Sequence, residues 1–424
     1  MSETKIPKGY KRTEVGVIPE EWEARTLGDL NPFVTSGSRG WAQYYSDLGS
    51  LFVRITNMSR DSIYLGLDNL KYVKLPNESS EGIRTQLQEH DVLISITADI
   101  GIVSYVDPQI SRPAYINQHI ALVRFDQSKT YGKFVSYFLA SEKPQSLFRA
   151  STDTGAKAGM SLPTVRRIEI AYPPLPEQRA IATALSDVDA LIVGLDQLIA
   201  KKRDLKQAAM QQLLTGQKRL PGFQGEWGLQ PLALFSAFIT KGSTPTTYGF
   251  DWEADGIRFL RSECVSEIGL DLGQAMFIST SAHSALIRGE VRSGDILITI
   301  TGNVGRIVLL DSSFGIANIN QHIARIRIIK PGLIPEFVYH FLSQPEIRKY
   351  YGTITTGQAY PQISLKQVRD TKISVPTVQE QTAIATILSD MDTELTALEQ
   401  RRDKTRALKQ GMMQELLTGK TRLI

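Results

Sequence analysis

The chain holds a single cysteine, Cys264, among its 424 residues. One thiol excludes an internal disulfide and a cysteine-based zinc site, and it fits a reducing compartment. Cys264 itself reads as a small buried hydrophobe. No apolar run reaches the ~18 residues that a membrane-spanning helix needs. The N-terminal stretch MSETKIPKGYKRTEVG lacks the apolar core of a secretory signal. These absences predict a cytoplasmic protein with no membrane partner. Charge is nearly balanced, 48 Lys+Arg against 44 Asp+Glu for a net +4. That mild basicity permits a nucleic-acid partner without requiring one.

Signatures of catalysis are also missing. GKT occurs at 419–421, but a phosphate-binding loop needs a glycine where Gln414 stands, and the run closes a helix instead of opening one. Asn31-Pro32-Phe33 is one residue short of the Asn-Pro-Pro-aromatic clamp that holds a target adenine, and no Gly-rich cofactor loop accompanies it. It reads as a turn. There is no HExxH, no GxSxG and no Cys/His cluster, so no catalytic residue, metal ligand or bound cofactor is assigned to this chain.

What the chain does have is a duplication. PLPEQRAIATALSDVDALIVGLDQLIAKKRDLKQAAMQQLLTGQKRL (174–220) returns as EQTAIATILSDMDTELTALEQRRDKTRALKQGMMQELLTGKTRL (380–423), with no insertion and about 25 of 44 aligned positions identical. Apolar residues recur at Ile181, Leu185, Val188, Ile192 and Leu195, and at Ile384, Leu388, Met391, Leu395 and Leu398. Steps alternating between four and three are the seam of a coiled coil. Pro176 and Glu177 suit a helix start, and Gly216 and Gly419 a stop. A helix of about 38 residues runs roughly 57 Å and cannot bury its seam alone, so each copy is expected to pair with the other. The seam weakens where Ile199 becomes Arg402 and Lys202 becomes Thr405. The apolar phase is expected to restart at Leu205 and Leu408, a stutter. The basic run Lys201, Lys202, Arg203 and its counterpart Arg401, Arg402, Lys404, Arg406 read as a solvated helix face.

The repeat divides the chain into a strand-rich domain at 1–173 (with a surface tail, 1–20), a long helix at 174–220, a second domain at 221–376 and a second long helix at 377–424. The fold class is α+β. A tryptophan precedes the first run of each domain, in IPEEWEARTLGDL (18–30) and GEWGLQPLALF (225–235). HDVLISITADIGIVSYV (90–106) and GDILITITGNVGRIVLL (294–310) are β-branched runs broken by a Gly turn, which read as hairpins. INQHIA occurs in both domains and reads as a strand, with Asn117 and His119 on one face. No acidic or nucleophilic residue recurs beside His119 and His322, so both read as structural.

The helices are nearly the same, whereas the domains keep strands and glycines but change loop side chains. A protein that reads two different short sequences on one duplex would do this, because phosphate contacts position and base contacts specify. The candidate DNA-facing residues are Arg39, Trp41, Gln43, Tyr44 and Lys157 in the first domain and Lys241, Thr244, Thr246, Thr247, Tyr248, Gln358 and Tyr360 in the second. Arg54 and Arg261 recur at equivalent places, which assigns them to phosphate or to the scaffold.

PLPEQRAIATALSDVDALI with its later copy, the two LLTG helix ends, KGSTP and INQHIA together make the chain resemble the specificity subunit of Type I restriction–modification systems, over nearly its whole length. The resemblance implies two target-recognition domains, each reading half of a bipartite, asymmetric DNA site, and two helices packed antiparallel that set the gap. It implies a subunit without catalytic activity that holds two modification subunits, which use S-adenosylmethionine to methylate adenine. Two motor and nuclease subunits, requiring ATP and magnesium, join them. Helices of roughly 57 Å suit half-sites about one duplex turn apart, ~34–36 Å. The rival expectation is a stand-alone methyltransferase or nuclease.

Overall fold

The computed structural model describes residues 6–76, 79–152, 159–357 and 360–423, with the side chains of 151, 152 and 237 left aside. The chain forms two compact units, Met1–Leu195 with Arg401–Ile424, and Asp196–Gln400. These units do not follow the linear domain boundaries, because each takes half of each long helix.

In the first unit, Val92–Ser95 and Val103–Tyr105 pair antiparallel as the hairpin the sequence suggests. Ile120–Arg124 lies on the other side of Val92–Ser95 and carries Phe33–Ser36 at its outer edge, completing a four-stranded antiparallel sheet. The apolar runs are continuous because both faces of this sheet are covered. Val92, Ile94, Ala121 and Val123 enter one core, with Phe134 and Tyr137 of the helix Gly132–Ala140. Leu93, Ile120 and Leu122 enter another, against Leu51, Val53 and Ile116 of a second four-stranded sheet. In that sheet Ala114–Ile116 runs parallel to Ser50–Val53. A short antiparallel pair, Glu23–Thr26 with Glu169–Tyr172, leads into the helix Leu175–Leu213.

The second unit repeats the plan. Ser236–Lys241, Ile323–Ile328, Ile296–Thr299 and Ile307–Leu309 form the antiparallel sheet. Ile296, Ile298, Ala324 and Ile326 face Phe337 and Phe341, while Leu297 and Ile323 face Leu260 and Ile319. The partner sheet differs: here the parallel pair Ile257–Leu260 and Ala317–Ile319 is central, with an antiparallel strand on each side. Gly228–Pro231 and Lys372–Val375 lead into the helix Val378–Leu416. Among the described residues no helix is long and apolar enough to cross a membrane.

Each unit is closed by the start of its own long helix and the end of the other. Ile181, Ala182 and Leu185 share a core with Leu416 and Leu417. Ile384, Ala385 and Leu388 share one with Met210, Leu213 and Leu214. A helix start lying beside a helix end makes the segments antiparallel in each unit. Each buried Leu or Ile contributes about 1.5–3 kcal/mol. Leu195 and Leu395 are also buried, while Val188, Ile192, Met391 and Leu398 are half-buried. The expected restart of the seam does not occur at Leu205 and Leu408, which are 48% and 58% exposed. The regular four-and-three spacing carries on past Lys202 and Thr405 without a phase shift, which turns both leucines outward. The inward place is taken by the next residue, Lys206 or Lys409, paired with Asp392 and with Asp189 respectively. Lys202 reaches Glu394 at 2.6 Å and Arg203 pairs with Glu399, so part of the basic run is neutralised within the second unit.

Candidate nucleic-acid interface

INQHIA is not one strand. Ile116 ends a strand of one sheet, Ile120 begins a strand of the other, and Asn117–Gln118–His119 form the turn between them. The backbone N–H of His119 donates to Asn117 Oδ1 at 3.2 Å, and that of Ile120 to the Asn117 carbonyl at 3.2 Å. In the second unit His322 donates to Asn320 Oδ1 at 3.0 Å and Ile323 to the Asn320 carbonyl at 3.4 Å. The asparagine is therefore a turn builder.

Other loops gather on this turn. The Gly37 N–H donates to the Ile120 carbonyl at 3.4 Å, and the Gly242 N–H to the Asn320 carbonyl at 3.1 Å. A Cβ on Gly37 would stand 2.2 Å from the Asn117 backbone, and one on Gly242 1.6 Å from the Ile319 carbonyl oxygen. Only glycine permits that approach. Ile96 and Ile300 donate to the carbonyls of His119 and His322, both at 2.8 Å, and in turn accept from Met160 and Ile363. Ala98 at φ +65° and Gly302 at φ +75° make the same left-handed turn. Four loops thus converge at one end of each domain, around 37–44, 96–101, 117–119 and 159–161 in the first and their counterparts in the second.

The candidate residues divide on this geometry. Arg39 and Gln43 are exposed, as are Lys241, Thr246 and Thr247. Tyr248 is 58% exposed and Tyr360 is 62% exposed, with its ring 6.3 Å from that of His322. Lys157 and Gln358 lie outside the described residues. Trp41 is a correction: it is 3% exposed, stacks on Phe52 at 5.3 Å and donates its indole N–H to Glu81 at 3.1 Å. It is core, and Tyr44 packs half-buried against it. Arg54 and Arg261 each bond within their own unit: Arg54 Nη2 donates to the Asn69 carbonyl at 2.9 Å, and Arg261 Nη2 to that of Gln274 at 3.5 Å. The Thr244 hydroxyl is used internally, donating to Gln321 Oε1 at 2.6 Å.

Sequence reasoning missed several residues that brace each domain. Arg84 donates to Thr35 Oγ1, to the Ser36 carbonyl at 2.7 Å and to Ser38 Oγ at 2.8 Å, fixing the loop that carries Arg39. Gln178 and Gln381, at the helix starts, accept from the backbone N–H groups of Tyr131 and Ile334 at 2.9 and 3.1 Å. They tie each domain's shorter helix to its long one. The duplicated PEQ/QEQ segments were the available signal.

A family model for the Type I restriction modification DNA specificity domain matches residues 19–202 and 290–406, more than half of the chain. The chain belongs to that family. It is a DNA-recognition subunit of a Type I restriction–modification system. The chain is 25% identical over 435 aligned residues to the putative type I restriction enzyme MjaX specificity subunit of Methanocaldococcus jannaschii, covering 98% of this chain and 97% of that one. It is 24% identical over 329 residues to the EcoBI specificity subunit of Escherichia coli, covering 72% and 68%. The S subunit of a Type I system from M. genitalium shares the fold, with a TM-score of 0.63 at 16% identity over 98% of both chains. So does a chain from a structure concerned with complex assembly in the type I R-M system, with a TM-score of 0.55 at 17% identity over 95% of this chain and 99% of that one.

Proposed function

We propose that each globular domain of this specificity subunit reads one half of a bipartite, asymmetric DNA site, and that the subunit itself is non-catalytic. One observation carries the reading. The turn, the close-approach glycine and the antiparallel sheet that the turn leads into recur in both units, while the exposed side chains above them differ: Arg39 and Gln43 in one, Thr246, Thr247 and Tyr248 in the other. A common platform with different tips suits two different base sequences. The long helices set the spacing of the half-sites and dock two modification subunits. S-adenosylmethionine is bound by those subunits, and ATP and magnesium serve two restriction and motor subunits, all in the cytoplasm.

The test is DNA binding and methylation by the purified chain with and without modification subunits. Sequence-selective binding should weaken steeply with salt, as lysine and arginine release counterions from phosphate. Methyl transfer or cleavage by the chain alone would overturn the non-catalytic assignment. Adding about one helical turn, roughly 5.4 Å, to both long helices should widen the gap while leaving the half-sites unchanged.

A further inference from the structure

INQHIA recurs unchanged at 116–121 and 319–324, and the fold accounts for four of its six positions. Ile116, Ile120, Ala121 and their counterparts Ile319, Ile323 and Ala324 are fully buried. Asn117 and Asn320 build the turn. Gln118, His119, Gln321 and His322 remain, half-exposed at the loop end. Their surroundings differ. His119 is held by Thr97 Oγ1, and His322 lies against the Tyr360 ring. Gln321 is gripped by Thr244, where the first unit has Arg39. Yet the local pairing is the same: Gln118 Nε2 sits 3.0 Å from His119 Nε2, and Gln321 Nε2 sits 3.2 Å from His322 Nε2. In the second unit the Thr244 hydroxyl donates to Gln321 Oε1, and the Nε2 end of that amide faces His322. One amide N–H faces the histidine, and the amide has a second to offer.

A donor aimed the same way at the tip of two domains cannot tell two half-sites apart. It suits what the half-sites share, the sugar–phosphate backbone. We propose that Gln118 and Gln321 are a matched pair of DNA-backbone contacts, one per domain, each oriented by its neighbouring histidine. They fix the height and register of the domain on the duplex, and the differing loop residues then read bases. This rests on the DNA-reading role proposed above. Because the donor is neutral, it displaces no counterion, and its loss leaves the salt dependence of binding nearly unchanged.

The experiment uses the full chain assembled with its modification subunits. Affinity is measured for a cognate duplex and for one with both half-sites scrambled, alongside melting temperature, for Gln118→Leu, Gln321→Leu and the corresponding Glu variants. Loss of a hydrogen bond to a charged acceptor should weaken binding to both duplexes about tenfold or more, leaving their ratio and the methylated sequence unchanged. The Glu variants should bind more weakly still, since a carboxylate would face phosphate. A collapse of the cognate-to-scrambled ratio would mean that the glutamines read bases, and it would overturn the proposal. So would unchanged affinity with a lowered melting temperature, which would make them internal braces. The wild-type preference for cognate DNA, measured in the same assay, reports separately on the DNA-reading role.

Discussion

Arg422 lies along the carboxylate of Glu177, 245 positions earlier, with Nε 2.6 Å from Oε1 and Nη2 2.9 Å from Oε2. The Trp22 indole N–H donates to the same carboxylate at 3.0 Å. The second unit repeats the arrangement: Arg219 holds Glu380 at 2.6 and 2.7 Å, and Trp227 donates to it at 3.2 Å. In each unit the arginine follows the end of one long helix and the glutamate begins the other. Glu177 is fully buried, so removing its partner strands a charge. Breaking a buried pair costs roughly 3–5 kcal/mol, and the partial exposure of Arg422 puts Arg422→Ala near the lower end. Denaturant unfolding should show a comparable loss for Arg219→Ala. Restoration by Glu177→Gln in the Arg422→Ala background would confirm that the unpaired carboxylate is the cause.

Gly242→Ala should disable one reader without unfolding the chain. The added Cβ would lie 1.6 Å from the Ile319 carbonyl oxygen, so the loop carrying Thr244 to Tyr248 must lift off the turn. Selectivity at one half-site should fall, with the other unchanged, in a methylation assay on duplexes altered one half-site at a time. Gly37→Ala should produce the mirror result.

Tyr248 and Thr246 are exposed at the second unit's loop end. Replacing either with alanine should cost about 1–3 kcal/mol of discrimination, the usual scale for a lost base-pair contact. The change should map to single positions of one half-site. A uniform loss of affinity across sequences would make them backbone contacts instead.

Acid should weaken the second unit through His340. Burial pulls this histidine down to about 4 from an ordinary 6.5, against the opposing pull of Asp392 and aided by Lys206. Its Nε2 meets Ser389 Oγ at 3.0 Å, and its Nδ1 is buried without a hydrogen-bond partner. The unfolded chain takes up this proton near pH 6.5 and the folded chain only near 4. Stability is therefore full above 6.5 and falls as pH drops through that window, by at most about 1.4 kcal/mol per pH unit. The first unit has Tyr137 at this place, donating to Asp189 at 2.6 Å. His340→Tyr should flatten the pH dependence of urea unfolding between 6.5 and 4.5. An unchanged slope would assign the acid sensitivity to other groups.

Periodicity and repetition made the scaffold legible. The helix Leu175–Leu213 begins beside the expected start at Pro176 and Glu177, and it and Val378–Leu416 end just short of Gly216 and Gly419. The hairpin at 90–106 is where the Gly-broken run placed it. What stayed hidden depends on contacts distant in sequence. INQHIA alternates like a strand, yet it crosses between sheets at Asn117, which local pattern does not reveal. Trp41 sits in a polar, Gly-flanked stretch, and partners distant in sequence, Phe52, Val73 and Tyr115, make it core. Leu205 and Leu408 suggest a phase shift because they are the apolar residues at hand, but the unbroken heptad passes through Lys206 and Lys409, whose charges find carboxylates on the facing helix. The Glu177–Arg422 pair joins the start of one copy of the repeat to the end of the other, a pairing of copies that the seam predicts and a buried salt bridge that it does not.

Exchanging the loop-bearing part of one domain, residues 242–249 with 354–363, for that of a relative with a different target tests the assignment of one domain to one half-site most directly. The readout is the set of methylated adenines across the genome of cells carrying the system. A motif changed in one half-site, with the other half and the gap preserved, is the expected result. A motif altered in both halves, or left unaltered, would contradict the assignment.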